Sequence, residues 1–216
     1  MSHLIAPSIL TASFLELGKE IDMINKSEAD WIHLDIMDGV FVPNLTFGFH
    51  VIRQMRKITD KPLDTHLMIV EPEKHLEEFR KSGVDKLTVH YEACPNLAET
   101  VRAIKSLGMS AGVAISPDTP TSVLADILPE LDLVLNMTVH PGYGAQKFIK
   151  HSWEKIRQLR QMIDNSGSNA IIQIDGGVGL GNIGGLRDAG VDCFVVGNTI
   201  FASDDPYETI TQLKSL

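Results

Sequence analysis

The feature that most constrains this chain is an alternation that runs from one end to the other: a short β-rich apolar run, then a segment with helical periodicity, eight times over. The strand-like runs are LIAPS at 4–8, WIHLD at 31–35, LDTHLM at 63–68, KLTVH at 86–90, SAGVAI at 110–115, LVLNM at 133–137, AIIQID at 170–175 and CFVVG at 193–197. Between them, FLELGKEIDMIN at 14–25, LAETVRAIKSLG at 97–108 and WEKIRQLRQMI at 153–163 repeat apolar residues at intervals of three and four, the period of a helix face. Strands that alternate with helices enter a parallel sheet, because each crossover returns the chain to the end from which it started. Gly83, Gly108 and Gly190 each follow a helical stretch and precede a strand, as helix stops. Eight such units in 216 residues predict an α/β fold, a single (β/α)8 TIM barrel over residues 1–216, at the short end of the usual range. An open doubly wound sheet is the alternative.

A chain of this length buries one large core. No apolar run approaches the roughly 18–20 residues that span a bilayer, and MSHLIAPSIL at the start lacks the basic and long apolar regions of a secretory signal. The expected location is the cytoplasm, with no membrane role. A net charge of −9 argues against a nucleic-acid surface and obliges an anionic substrate to meet positive potential gathered locally. Cys94 and Cys193 form no CxxC pattern and read as free thiols.

Within the strand WIHLD and its continuation IMDG, Ile32, Leu34 and Ile36 fall on one face while His33, Asp35 and Met37 fall on the other. His66 near the end of the third strand and Asp175 at the end of the seventh lie opposite apolar packing faces in the same way. In a (β/α)8 barrel the C-terminal ends of the strands form the active face, so these four groups are placed to converge. A lone buried histidine is ordinarily a hydrogen-bonded wall residue. Two imidazoles and two carboxylates together are better matched to a divalent cation, and without a thiolate the set suits Zn²⁺, Fe²⁺, Mn²⁺ or Co²⁺.

The segments DGGVGLGNIGGL at 175–186 and VVGNTIF at 195–201 follow strands seven and eight. Their glycines admit backbone N–H groups close to an anion, and a short helix starting near Asn198 adds its N-terminal dipole. Neither DGGVG nor VGNT contains Lys or Arg, so backbone amides would hold a phosphate here. The loop PGYGAQKF at 141–148, after strand six, is placed to close over the same site. Met37, Met68 and Met137 stand near the mouths of strands two, three and six, as gap-filling core or as a polarizable cover over a reaction intermediate.

Together APSIL at 6–10, HLDIMDGVFVPNLTFG at 33–48, HLM at 66–68, MTVHPGYGAQKF at 137–148, DGGV at 175–178 and VVGNTIF at 195–201 closely resemble ribulose-phosphate 3-epimerases, over about residues 5–207. The resemblance implies a barrel of the ribulose-phosphate-binding type, an isomerase that interconverts D-ribulose 5-phosphate and D-xylulose 5-phosphate in the pentose phosphate pathway, and one divalent metal per subunit. It implies that His33, Asp35, His66 and Asp175 hold the metal and that Ser8 contacts substrate. Gly176, Gly177, Gly197 and Asn198 would lie against the phosphate, beneath a loop of Gly142, Tyr143, Gly144 and Ala145. Epimerisation beside a ketone removes a proton from one face and returns one to the other, which assigns Asp35 and Asp175 as the two acid/base groups. A dimer or hexamer of identical chains is the family's habit.

His140, Ala145, Gly179 and Asn198 depart from the family pattern as it usually reads. Ala145 offers the same backbone N–H as a glycine without strain only where its φ is negative. A 3-epimerase of a longer ketose phosphate, such as D-allulose 6-phosphate, would share every catalytic residue. A barrel lyase or decarboxylase would ordinarily use a Lys at a central strand end, and none stands there. A non-catalytic sugar-phosphate binder would have no need of both carboxylates.

Overall fold

The computed structural model describes residues 3–216, so Met1 and Ser2 of the expected 1–216 domain lie outside the described residues. Eight parallel strands, β1 (Leu4–Pro7), β2 (Ile32–Met37), β3 (Leu63–Met68), β4 (Lys86–His90), β5 (Ser110–Ile115), β6 (Leu133–Met137), β7 (Ile171–Asp175) and β8 (Cys193–Val196), form one sheet in the order β1-β8-β7-β6-β5-β4-β3-β2. An isolated parallel bridge between Ser8 and His33 joins the two ends, so the sheet closes into a (β/α)8 barrel. The seam is thin, since every other neighbouring pair shares three or more registered residues.

The crossovers are α1 (Leu17–Lys26), α2 (Phe49–Arg56), α3 (Leu76–Lys81), α4 (Leu97–Ser106), α5 (Ser152–Ser166) and α6 (Ile183–Asp188), followed after β8 by α7 (Asn198–Phe201) and α8 (Pro206–Ser215). Between β5 and β6 the chain makes only two 3-10 turns, Thr121–Leu124 and Leu128–Glu130. Pro120 and Pro129 punctuate that stretch and remove the N–H groups a longer helix would need. The expected helix at 14–25 begins instead as a 3-10 turn, Phe14–Glu16, before α1.

β2 shows why strand and site coincide. Both faces are buried, as a parallel sheet covered by helices requires. Ile32, Leu34 and Ile36 join the large apolar layer between sheet and helices, where Ile52 of α2 and Ile104 of α4 also pack. Each such fully buried aliphatic contributes roughly 1.5–3 kcal/mol. The opposite face looks into the barrel, whose smaller interior cluster contains Ala6, Leu133, Leu135 and Cys193. Trp31 lies in that cluster too, capped by Lys86 with its Nζ 4.4 Å from the ring centroid. The N-terminal end is thereby filled, and the polar groups gather at the other end.

β2 runs two residues past the expected end at Asp35, to Met37. His33 therefore sits deep in the wall and Asp35 one layer above it, in register with Asp64 and His66 of β3.

Candidate active site and metal centre

At the C-terminal end of the barrel, His33, Asp35, His66 and Asp175 each offer one ligand atom, and these atoms all lie within 4.8 Å of one another. His33 and His66 are fully buried, Asp35 is 2% exposed, and the Asp175 side chain is 18% exposed toward the cavity above. His33 Nε2 lies 3.5 Å from Asp35 Oδ1, and His66 Nδ1 lies 3.2 Å from the same oxygen and 3.9 Å from Asp175 Oδ2. The Ser8 hydroxyl donates to Asp35 Oδ2 at 2.6 Å. Behind Asp175, the Thr138 hydroxyl donates to the Asp175 and Gly176 carbonyls at 2.7 and 2.6 Å, which pins the end of β7.

The electrostatics call for positive charge at this point. Burial works against protonation of His33, but the flanking Asp35 and Asp64 carboxylates outweigh it and push its pKa well above the ordinary imidazole range. Burial also opposes ionisation of Asp35, yet His33 and His66 hold that carboxyl well below its usual range. Asp175 goes the other way: burial and the neighbouring Asp35 charge push it up to about 7. Burial lowers His66 to about 4, so its ring is neutral at pH 7.

The donor set fits a divalent cation. His33 Nε2 is buried and makes no hydrogen bond, an orphaned lone pair or proton beside two carboxylates. His33 Nδ1 is 2.7 Å from Asp64 Oδ2, the arrangement in which a carboxylate orients a ligating imidazole from behind. Gln173 Nε2 in turn donates to Asp64 Oδ2 at 2.7 Å.

Above the cluster opens a cavity of ≈ 480 Å³. Ser8, Asp35 and Asp175 form part of its floor, and Met37, Met68 and Met137, all buried, line its wall. Gly176, Gly177, Gly197 and Asn198 line its far end, while Gly142, Tyr143, Gly144 and Ala145 cross its mouth. His33 and His66 lie beneath the floor rather than in the lining. The glycine end is a close-fitting cradle. Gly177 has φ +66, and a Cβ there would stand 2.4 Å from the Phe148 backbone nitrogen. At Gly197 a Cβ would meet Thr11 Oγ1 at 2.8 Å. The first N–H groups of α7 have no partner inside the helix, so they are available to an anion in this end of the cavity.

The mouth loop is tied to the β2–α2 connection: Asn44 Nδ2 donates to the Gly142 carbonyl at 2.9 Å, and the Tyr143 hydroxyl approaches the Pro43 carbonyl at 3.4 Å. Ala145 has φ +56, the left-handed region that a Cβ disfavours. Its backbone N–H is thus offered in the glycine-like conformation, at the strain foreseen for a positive φ.

Several residues at the site escape sequence reasoning. Asp64 and His90 lie inside strands with the same inward parity as His66, so the alternation that marks His66 also marks them. Thr11, with a buried unpartnered hydroxyl against Gly197, and Lys147, the one Lys or Arg among the described residues lining the cavity, are placed only by tertiary structure.

Fold and site together define a barrel of the kind that carries its chemistry at the C-terminal ends of its strands, with a close-fitting glycine cradle after β7 and β8. A model of the ribulose-phosphate 3-epimerase family matches residues 4–201. The ribulose-phosphate 3-epimerase of Bacillus subtilis (strain 168) is 44% identical over 97% of this chain and 97% of its own length. That of Synechocystis sp. is 45% identical over 98% of this chain and 93% of its own, and a chloroplastic ribulose-5-phosphate-3-epimerase of Arabidopsis thaliana is 44% identical over 98% and 76%. This chain belongs to the ribulose-phosphate 3-epimerase family. Among solved structures, a mutant tryptophan synthase α-subunit from Pyrococcus furiosus superposes with a TM-score of 0.75 at 17% identity, covering 100% of this chain and 98% of that one, and shares the fold.

Proposed function

We propose that this protein interconverts D-ribulose 5-phosphate and D-xylulose 5-phosphate, inverting C3 in the pentose phosphate pathway, as one catalytic domain over residues 1–216. The observation that carries the reading is the placement of Asp35 and Asp175 together beneath one cavity that ends in the glycine cradle. The two carboxylates stand on strands three places apart around the ring, so a carbon held between them is reached from two sides.

Asp175, pushed up to about 7, is balanced at neutral pH between taking a proton as carboxylate and giving one as carboxylic acid. Asp35 serves the other face, and Ser8 fixes its orientation through Oδ2. The direction of reaction decides which acts first. His33 and His66, with the two carboxylates, would hold one divalent ion, Zn²⁺, Fe²⁺, Mn²⁺ or Co²⁺. When bound, that ion supplies Lewis-acid stabilisation to the oxygens that gain charge as C3 loses its proton. Gly176, Gly177, Gly197 and Asn198 hold the phosphate, and the loop from Gly142 to Ala145 keeps water from the enediolate side of the cavity. Met37, Met68 and Met137 give that side an apolar, polarizable wall.

No helix among the described residues is long and apolar enough to cross a membrane, and the acidic net charge supports neither membrane nor nucleic acid as a partner. A cytoplasmic homo-oligomer, dimer or hexamer, is the proposed form. Leu15, Val40 and Leu45, at 99%, 72% and 72% exposure, supply apolar surface for such contacts.

The test is exchange of the substrate C3 proton with solvent deuterium, followed by NMR before and after chelation. Exchange accompanied by xylulose 5-phosphate, lost on chelation and in Asp175→Asn, is the expected result. Ribulose 5-phosphate that binds the metal-loaded protein without any exchange overturns the reading.

A further inference from the structure

Behind His66 runs a chain of polar groups that the proton-transfer chemistry does not use. His66 Nε2 is 2.9 Å from Nε2 of His90, the last residue of β4, and His90 Nδ1 is 3.0 Å from Glu92 Oε2. Glu92 Oε1 accepts from the Ser116 N–H at 2.9 Å and from the Thr119 hydroxyl, both just beyond β5. His66 and His90 are fully buried, their ring centroids are 4.9 Å apart, and Phe41 packs on His90 at 4.7 Å. The imidazoles are therefore locked in rotation, and only their protons have freedom.

We propose that His90 and Glu92 are positioning residues of the metal centre, which hold His66 in the one tautomer that turns its Nδ1 lone pair toward His33, Asp35 and Asp175. The inference rests on the reading of those four residues as metal ligands. Donors and acceptors along the chain fix the tautomer. The bonds that Glu92 accepts from Ser116 and Thr119 favour its ionised form, and an ionised carboxylate has no proton to give, so His90 Nδ1 must donate to Glu92 Oε2. The 2.9 Å approach of the two Nε2 atoms needs one donor and one acceptor, and with the His90 proton committed at Nδ1 to Glu92, the N–H of that pair falls on His66 Nε2. His66 Nδ1 is left bare. The reverse tautomer would put a proton between His66 Nδ1 and Asp35, in the place an ion needs. His33 has a carboxylate, Asp64, directly behind it at Nδ1; on its Nε2 side, away from Asp35 and Asp175, His66 reaches one only through a second imidazole. A carboxylate so linked also raises the basicity of the ligating nitrogen.

The experiment measures Co²⁺ affinity of the chelator-stripped full chain by competition with a chromophoric chelator, together with the visible Co²⁺ spectrum and the melting temperature of each metal-free protein. His90→Leu removes the acceptor and is expected to weaken Co²⁺ binding by roughly 10–100-fold. His90→Gln returns an oxygen near the lost Nε2 and is expected to restore most of that affinity and the wild-type spectrum. Glu92→Gln keeps the shape, removes the charge that sets the direction of the chain, and is expected to weaken binding even if the His90 variants do not fold. Wild-type affinity in Glu92→Gln, or His90→Gln as weak as His90→Leu, overturns the relay. Wild-type protein that binds no Co²⁺, or His66→Ala that binds it as tightly as wild type, overturns the metal-ligand reading itself.

Discussion

Ala145 at the cavity mouth and Gly177 at its far end have the same backbone demand, a positive φ, met by different residues. Ala145 at φ +56 carries a Cβ in a conformation that favours glycine. Ala145→Gly is expected to stabilise the protein by about 0.5–1 kcal/mol, after the greater freedom of glycine in the unfolded chain is allowed for. Urea denaturation checks it. Gly177→Ala is expected to cost about 2 kcal/mol or more, because its Cβ would collide with the Phe148 backbone in addition to the strain of φ +66. The same change should weaken inhibition by inorganic phosphate. Asp175 supplies a pH dependence. In metal-free protein the native carboxyl keeps its proton up to about 7, while the unfolded chain loses it near 3.8. The native state binds more protons across that window, so stability of the chelated protein falls as pH rises from about 4 to 7. Guanidinium unfolding at pH 5 and pH 8 should show that fall in wild type and a smaller one in Asp175→Asn.

At the scale of elements, Glu92 ties the end of β4 to the turn after β5. Burial opposes its ionisation, but hydrogen bonds from His90, Thr119 and Ser116 hold its pKa near 2, against 4.5 for a free side chain. Its contribution is complete above pH 4.5 and is lost as pH falls through 2. Glu92→Gln is expected to be less stable than wild type by on the order of 1–3 kcal/mol at pH 7, with the gap closing toward pH 2. A gap of equal size at both pH values would deny the carboxylate that role. The elements themselves are largely legible in the sequence: β3, β4, β5 and β6 have the expected bounds because turn residues flank each apolar run. The absence of a helix before β6 is only half legible, since Pro120 and Pro129 break DTPTSVLADILPELD while SVLADIL between them is compatible with a helical turn of either pitch. His33, Asp35, His66 and Asp175 stand out as polar residues on inward-facing positions. Glu92 does not, because its partners at Ser116 and Thr119 lie 24 and 27 residues away and are brought to it by the β4–β5 pairing.

For the molecule as a whole, an ion ligated across the barrel would couple occupancy to folding. His33 and Asp35 come from β2, His66 from β3 and Asp175 from β7, so one ion would hold together strands distant along the chain. At a free-ion concentration 100 times its dissociation constant, binding to the native state alone adds about 2.7 kcal/mol. That corresponds to a rise of about 5–10 °C in melting temperature for a chain of this size. Scanning calorimetry with and without a chelator measures it, and the His66→Ala protein should show little response to the chelator. The bridge that closes the barrel gives this coupling a location. Ser8 pairs with His33 at the join, and Ser8 also holds Asp35 by its hydroxyl. A hoop with one weak joint opens at that joint first, and here the joint is made from the reacting end of the protein. Inactivation by heat should accordingly run ahead of the loss of helical signal, with a bound substrate or ion acting as the rivet that delays both.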